Sequence, residues 1–303
     1  MPVYNNLVPD TRTTNLSEAI MTVYSKEILF AAQPVTRFDQ FSVKRTELGT
    51  QPGLTINFLK YDDLAGGGEL NEATPIETEQ LNASLIPITV TEFGGAVSMS
   101  ELLLRSSFDD VMASASRLLG HRYAKVLDTV YREVLLTATN IKYAGSKEER
   151  DEVTGYFDTT LIKDMAEVLA TNNTPQVGGA NWVCYIHPHQ SRRLRDDDDW
   201  VNAAQYAGSR QIFLGESGMY EDTIFIETTQ VKKLAGAGGG ATPADIYQAI
   251  MIGEGAYGHA IGLPVEMRDN GVEDFGRKHS LAWYSIMGCG LIQEDRVCIG
   301  ESA

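Results

Sequence analysis

A chain of 303 residues, 43% apolar and 22% charged, can bury a sizeable core and has the length of about two domains. Its 41 acidic against 25 basic side chains give a net charge of −16; this excludes a protein that works by neutralising phosphates and disfavours anionic membranes. Three scattered cysteines, Cys184, Cys289 and Cys298, cannot make a disulfide framework and read as reduced thiols made in a cytosol. The start at Met1 lacks a basic-then-apolar signal segment, and no apolar run reaches the ~18 residues of a membrane span.

The first fifty residues carry one weak helical pattern over 18–30, stopped by Pro34. With so little apolar periodicity, 1–50 is expected to be an arm that lies on something else. From Gly53 the period changes to two: Leu54, Ile56 and Phe58 alternate with Thr55 and Asn57, which predicts a strand. A second strand is predicted over 85–93, with Pro87 marking an edge or a bulge. The residues between them, from Asp62 to Pro75, are turn chemistry, and no Lys or Arg occurs between Lys60 and Arg105. A two-stranded ribbon is marginal by itself. Residues 51–97 are therefore expected to form a projecting hairpin that a partner must hold.

Ser98 and Glu101 stand at capping-box spacing, and Ser107 stands ahead of Asp109 and Asp110 as a second cap. Apolar residues then keep helical spacing from Phe108 to about Leu136, a rod of roughly 43 Å at ~1.5 Å per residue. Further on, an amphipathic helix is predicted over 161–170, a buried strand over 182–186, and a helix opened by Pro188. Strands follow over 223–227 and 246–252, and in the tail around 265–267, 280–287 and 296–299. This irregular mixture predicts an α+β fold.

The run Phe38-Asp-Gln-Phe-Ser-Val-Lys-Arg, followed by Gly53-Leu-Thr-Ile-Asn-Phe and Ala65-Gly-Gly-Gly-Glu69, resembles the tailed-phage major capsid proteins with the HK97-like fold. Ser98-Met-Ser-Glu-Leu-Leu-Leu with Phe108-Asp-Asp-Val-Met-Ala-Ser-Ala is similar to that family's entry into its long spine helix. Trp182-Val-Cys-Tyr-Ile-His-Pro-His-Gln and Gly276-Arg-Lys-His-Ser-Leu-Ala-Trp-Tyr resemble its later strands. The resemblance implies an N-terminal arm (1–50), an extended loop (51–97), a peripheral domain with the spine helix (98–155 and 262–303) and an axial domain (156–261). It further implies a virion subunit that assembles with itself, as pentamers and hexamers, into an icosahedral shell around DNA that it does not bind specifically. Assembly is expected in the host cytoplasm, with scaffolding, portal and possibly decoration proteins supplied by other chains. Neither enzymatic activity nor a cofactor is implied.

The strongest competing reading is an acidic cytosolic metal-assisted enzyme that uses His187 and His189 under a hairpin lid. Cys184 and the run Asp196 to Asp199 lie nearby in sequence, but Pro188 should end the strand between the two histidines, and no third ligand has a recognised spacing. The Asp run after Arg192, Arg193 and Arg195 reads as a solvated mixed-charge face. Gly236-Ala-Gly-Gly-Gly240 lacks the Lys-Ser/Thr of a phosphate loop and reads as a flexible connection. Some members of the resembled family cross-link an extended-loop lysine to an asparagine. Lys60 is the lysine inside the hairpin strands, and without an identifiable acceptor it reads as an ordinary surface lysine. The residues expected at subunit contacts are Lys60, the tip glycines Gly66, Gly67 and Gly68, and the acidic Glu69, Glu72, Glu77 and Glu79. Arg105, Arg117, Arg122 and Lys125, all expected on the long helix, are the basic partners for those carboxylates on a neighbouring copy.

Overall fold

In a computed structural model the described residues are 36–49, 53–61, 64, 78, 80–106, 110–197, 216–240 and 243–303. The helical pattern over 18–30 and the glycine-rich hairpin tip lie outside them. The long helix, α2 (Val111–Leu135), follows a short helix, α1 (Glu101–Ser106). Asp110 caps α2, its carboxylate accepting from the backbone N–H groups of Met112 and Ala113 at 3.1 Å each. Such a cap is worth ~1 kcal/mol and replaces the expected Ser107. Twenty-five residues make a rod of about 37 Å. At α1 the capping hydroxyl is that of Ser100, which accepts from Leu103 N at 3.2 Å; Ser98 is still inside a strand.

Alternate apolar residues build two sheets on this helix. The smaller has the order β1 (Val43–Arg45), β11 (Tyr257–Glu273), β12 (Lys278–Leu291), β4 (Thr91–Ser100). Its Met99, Val265, Met267, Leu281 and Trp283 pack on Ala115 and Leu119, in the first half of α2. The larger sheet runs β5 (Ile141–Tyr143), β13 (Val297–Ser302), β10 (Ile246–Ile252), β6 (Trp182–Ile186), β8 (Thr223–Glu227), β7 (Glu216–Tyr220), and β9 (Lys233–Leu234) also pairs with β10. Val183, Tyr185, Ile250, Ile252, Val297 and Ile299 face Leu127, Tyr131 and Leu135 in the second half of α2. The alternate residues Cys184, Ile186, Ala249, Met251 and Cys298 face α3 (Thr159–Thr171) through Leu161, Ile162, Met165 and Leu169. Burial on both faces is why β10 reads as an apolar run rather than an alternation, broken only by Gln248, whose amide donates to the buried Glu301 at 2.7 Å.

β13, which the resemblance places with the long helix in the peripheral part, is hydrogen-bonded between β10 and β5 in the larger sheet. Its alternating apolar residues fill both layers there, so it completes the sheet formed by 182–252. Arg150 fastens it from outside: its guanidinium donates to both carboxylate oxygens of the fully buried Glu301 at 2.7 Å each.

The predicted hairpin is present as a ribbon of β2 (Thr55–Tyr61) and β3 (Ala83–Thr89), paired from Thr55↔Thr89 to Tyr61↔Ala83. The second predicted strand is two, since Val90 separates β3 from β4. The ribbon's root packs on its own subunit rather than waiting for a partner. Phe58 and Ile88 are buried against Ala260 of β11, and Gly288 of β12 passes under Thr89. A Cβ on Gly288 would lie 2.3 Å from the Thr89 carbonyl oxygen, a clash with backbone that no rotamer relieves. Gly288→Ala is therefore expected to destabilise the subunit by about 1–3 kcal/mol, read as a lowered urea midpoint; an unchanged midpoint would mean that the ribbon lifts off at no cost.

Candidate functional site

Three surfaces emerge where the chain leaves its own core. The first surrounds the described start of the chain at Arg37 and Phe38. Phe38 is completely buried among Leu127, Tyr131, Leu135 and Tyr185, and the backbone on either side of it is held by buried side chains. The Asp128 carboxylate accepts from Arg37 N at 3.2 Å and from Phe38 N at 3.4 Å. Tyr185 donates to the Arg37 carbonyl at 3.3 Å, and Tyr257 donates to the Phe38 carbonyl. Asp39 accepts from the Tyr131 hydroxyl at 2.6 Å and forms an ion pair with Lys44. With its own hydrogen directed at Asp39, the Tyr131 oxygen accepts from Nδ1 of His259, 2.6 Å away.

The two carboxylates of this clamp are pushed in opposite directions. Burial raises Asp128 to about 7, only partly offset by the two backbone donors. Burial would also raise Asp39, but the nearby His259 ring, 3.7 Å away, and hydrogen bonds from Lys44 and Tyr131 overcome it and hold that group at about 2. The sequence reading missed this clamp. The signal was an aspartate inside the apolar face of α2, one residue after Leu127 and four after Ala124.

The second surface is the outer face of the ribbon, where Leu59 and Leu85 pair across the strands with Tyr61 beside them, all exposed. Lys60 points to the other face, half-buried, opposite Ser84. Gly66, Gly67, Gly68, Glu69, Glu72, Glu77 and Glu79 lie outside the described residues.

The third is the outer face of α2. Arg117, His121 and Lys125 follow one another at four-residue steps, with Leu118 and Arg122 alongside, all exposed. Arg122 lies across β4, its Nε 3.3 Å from where a Cβ on Gly95 would sit. Arg105, expected on the long helix, is on α1 instead, where Glu101 binds it at 2.6 Å. It therefore stands on a different helix from the stripe formed by the other three.

The histidines of the metal reading have structural work. His187 caps α4 (Pro188–Leu194), its Nδ1 accepting from His189 N at 3.1 Å while its own backbone N–H donates to Gln190 Oε1 at 3.0 Å. Both rings pack on Tyr247, with centroids 4.6 and 5.0 Å away. Cys184 is in the core under α3, on the strand that precedes them. Among the described residues, no three His, Cys, Asp or Glu side chains converge as ligands. The glycine segment 236–240, expected to be flexible, is bonded in place: Gly239 N donates to the Val153 carbonyl at 2.9 Å, and a side chain there would strike Asp151.

A family model described as phage capsid protein matches residues 132–294, more than half of the chain. The chain belongs to the phage capsid protein family. It is a capsid subunit, filling the major structural role in the virion shell that such subunits build by self-assembly. Its α+β architecture is the HK97-like capsid fold, as in solved structures of low identity. The capsid of Ralstonia phage GP4 superposes with a TM-score of 0.73 at 17% identity, covering 89% of this chain and 91% of that one. The cyanophage Pam1 capsid asymmetric unit gives 0.71 at 17% identity, covering 90% and 92%. The head structure of Helicobacter pylori bacteriophage KHP40 gives 0.63 at 14% identity, covering 89% of each chain. A search of the curated proteins returns no match.

Proposed function

We propose that this subunit closes an icosahedral head around the phage genome by laying the acidic tip of its ribbon on the spine helix of a neighbouring copy. The observation that carries this reading is the basic outer face of α2 on an otherwise strongly acidic chain. The acidic stretch 62–79 needs cations, and its own ribbon provides one lysine, Lys60. Arg117, Arg122 and Lys125, set around the exposed Leu118, supply charge and an apolar contact to match the outer ribbon residues Leu59, Leu85 and Tyr61.

In this arrangement the smaller sheet with α1 and the first half of α2 forms the peripheral part. The larger sheet with α3 and α4 forms the axial part, to which β5 and β13 belong. The arm, 1–35, leaves from the clamp at Arg37 and Phe38 and crosses to a neighbour. Scaffolding, portal and decoration proteins are separate partners, and assembly takes place in the host cytoplasm. The thiols Cys184 and Cys298, buried and unpaired, fit a reducing compartment. The chain works as a structural element rather than an enzyme, with His187 and His189 serving α4 and Tyr247.

A charge swap tests the contact. Arg122→Glu with Lys125→Glu is expected to lower particle yield at least ~10-fold, since like charges across an interface cost several kcal/mol. Glu72→Lys with Glu77→Lys should do the same, and the four changes together should restore particles seen by electron microscopy. Failure of the combined variant to recover would place the acidic tip elsewhere.

A further inference from the structure

An irregularity in β11 brings together groups that the shell role does not use. In the ladder with β12, Asp269 pairs with Leu281 and Val272 with His279. Asn270 and Gly271 therefore stand opposite one residue, Ser280, in a β-bulge. The Gly271 N–H donates to a side chain, Asp269 Oδ1, at 2.8 Å. The exposed Asn270 carboxamide donates to the Glu273 carboxylate. Gly271 has left-handed backbone, with φ of 73°, and a Cβ built there would meet nothing within 4 Å. A side-chain amide is thus followed by the least hindered peptide nitrogen a chain can offer. One carboxylate lies against the nitrogen that could attack, and another against the nitrogen that could leave.

We propose that Asn270 converts itself to aspartate and isoaspartate in the folded subunit, through a cyclic imide closed by the Gly271 nitrogen with Asp269 as base. As the Gly271 nitrogen attacks Asn270 Cγ, its proton passes to the Asp269 carboxylate. The Cγ–Nδ2 bond then breaks, and Nδ2 leaves as ammonia, taking that proton back from Asp269 through solvent. Water adds to either carbonyl of the imide and opens it. Cleavage at Cγ leaves aspartate, and cleavage at the main-chain carbonyl leaves isoaspartate, with Cβ inserted into the backbone. One carboxamide and one water thus become one carboxylate and one ammonium ion, with no oxidant or cofactor. Proximity supplies the rate, since the attacking nitrogen and the carboxamide carbon belong to one chain and close a five-membered ring. The bulge tolerates the product, because neither Asn270 nor Gly271 holds the register with β12 and an added backbone atom need not shift the pairs on either side. Each reacted copy carries one more negative charge, beside Asp269, Glu273 and Asp274. The shell therefore gains charge with age at this bulge.

Incubation of the full folded chain at neutral pH in heavy-oxygen water, followed by peptide mass spectrometry, tests this. The peptide containing Asn270 should lose ammonia, gain one heavy oxygen, and appear as both aspartate and isoaspartate. It should do so at least as fast as in the urea-unfolded chain. Asp269→Asn keeps an acceptor for the Gly271 N–H but removes the base, and should slow the folded reaction at least ~10-fold at pH 6. Its rate should also climb about tenfold per pH unit from 6 to 8, with hydroxide as the base, while the wild-type rate changes little. Asn270→Gln, which would need a six-membered ring, should keep its amide. A folded chain that keeps the Asn270 amide while the unfolded chain loses it overturns the proposal, since the bonds to Asp269 and Glu273 would then hold the amide out of reach. Equal rates and equal pH slopes in wild type and Asp269→Asn overturn the role of the base. Aspartate without isoaspartate would mean direct hydrolysis and overturn the imide.

Discussion

Replacing residues 62–82 with Asn-Gly is expected to leave a folded subunit that no longer forms shells. Tyr61 and Ala83 are register partners in the antiparallel ribbon, so a two-residue turn of the Asn-Gly type joins them without shifting the pairing. Phe58 and Ile88, ribbon residues buried in the subunit, stay in place over Gly258, Gly290 and Ala260. Every described residue that is removed is exposed, and the melting temperature should move by no more than a few degrees. The deletion does remove Glu69, Glu72, Glu77 and Glu79, the charges assigned to the neighbour's Arg117, Arg122 and Lys125. Each contact recurs at every copy of the shell, so its loss is multiplied where a single-site change would be diluted. Calorimetry with electron microscopy of the same sample separates the two effects. Normal shells from the shortened chain would remove the ribbon tip from assembly, and an unfolded chain would show that the tip supports its own core.

The second large effect is a pH dependence of the arm clamp. Asp128 titrates near 7 in the folded subunit and near its ordinary 3.8 when unfolded. Between those values the native state holds a proton that the unfolded state has lost, so stability falls as pH rises from about 4 to about 7. Above 7 the whole penalty is present, on the order of a few kcal/mol. Asp39 has the opposite sign. Held at about 2, it contributes stability that is lost only as pH falls from about 4 towards 2. Asp128→Asn keeps an acceptor for the backbone N–H of Arg37 or Phe38 and removes the titration. It should match or trail the wild type at pH 5 and overtake it at pH 8.5. Asp128→Ala leaves those donors buried and unpaired, and should lose about 1–3 kcal/mol at pH 5 and less at pH 8.5, where it also escapes the cost of the buried charge. Urea unfolding at the two pH values measures this; parallel wild-type and Asp128→Asn profiles would mean that the carboxyl is ionised throughout. Because Asp128 binds the backbone of Arg37 and Phe38, the same titration governs how firmly that segment is held.

Several elements were legible in the chain by itself. The 3.6-residue stripe through Leu119, Ala124, Leu127, Tyr131 and Leu135 determined the long helix, and the period-two run at Thr55–Tyr61 determined the ribbon strand. The short strands Trp182–Ile186, Thr223–Glu227 and Ile246–Ile252 and the helix opened by Pro188 were equally plain, because local pattern and local conformation agree there. The excess of carboxylates and the absence of a basic stretch near the ribbon were likewise properties of sequence alone. Tertiary structure decided what those elements touch. Ser98 and Ser107 had the right spacing for caps, but strand pairing with β12 kept Ser98 extended, and the caps passed to Ser100 and Asp110. A strand such as Val297–Ser302 carries the same alternation whichever sheet receives it, and only its fit between β5 and β10 assigns it. Asp128 looked like one more charge on a helix. It became the arm's anchor because the fold brings Arg37, Phe38, Tyr131, Tyr185, Tyr257 and His259, from four distant segments, to the same buried point. Contacts between residues so far apart along the chain leave no periodic trace in it, since periodicity records which face of an element is buried and not what buries it.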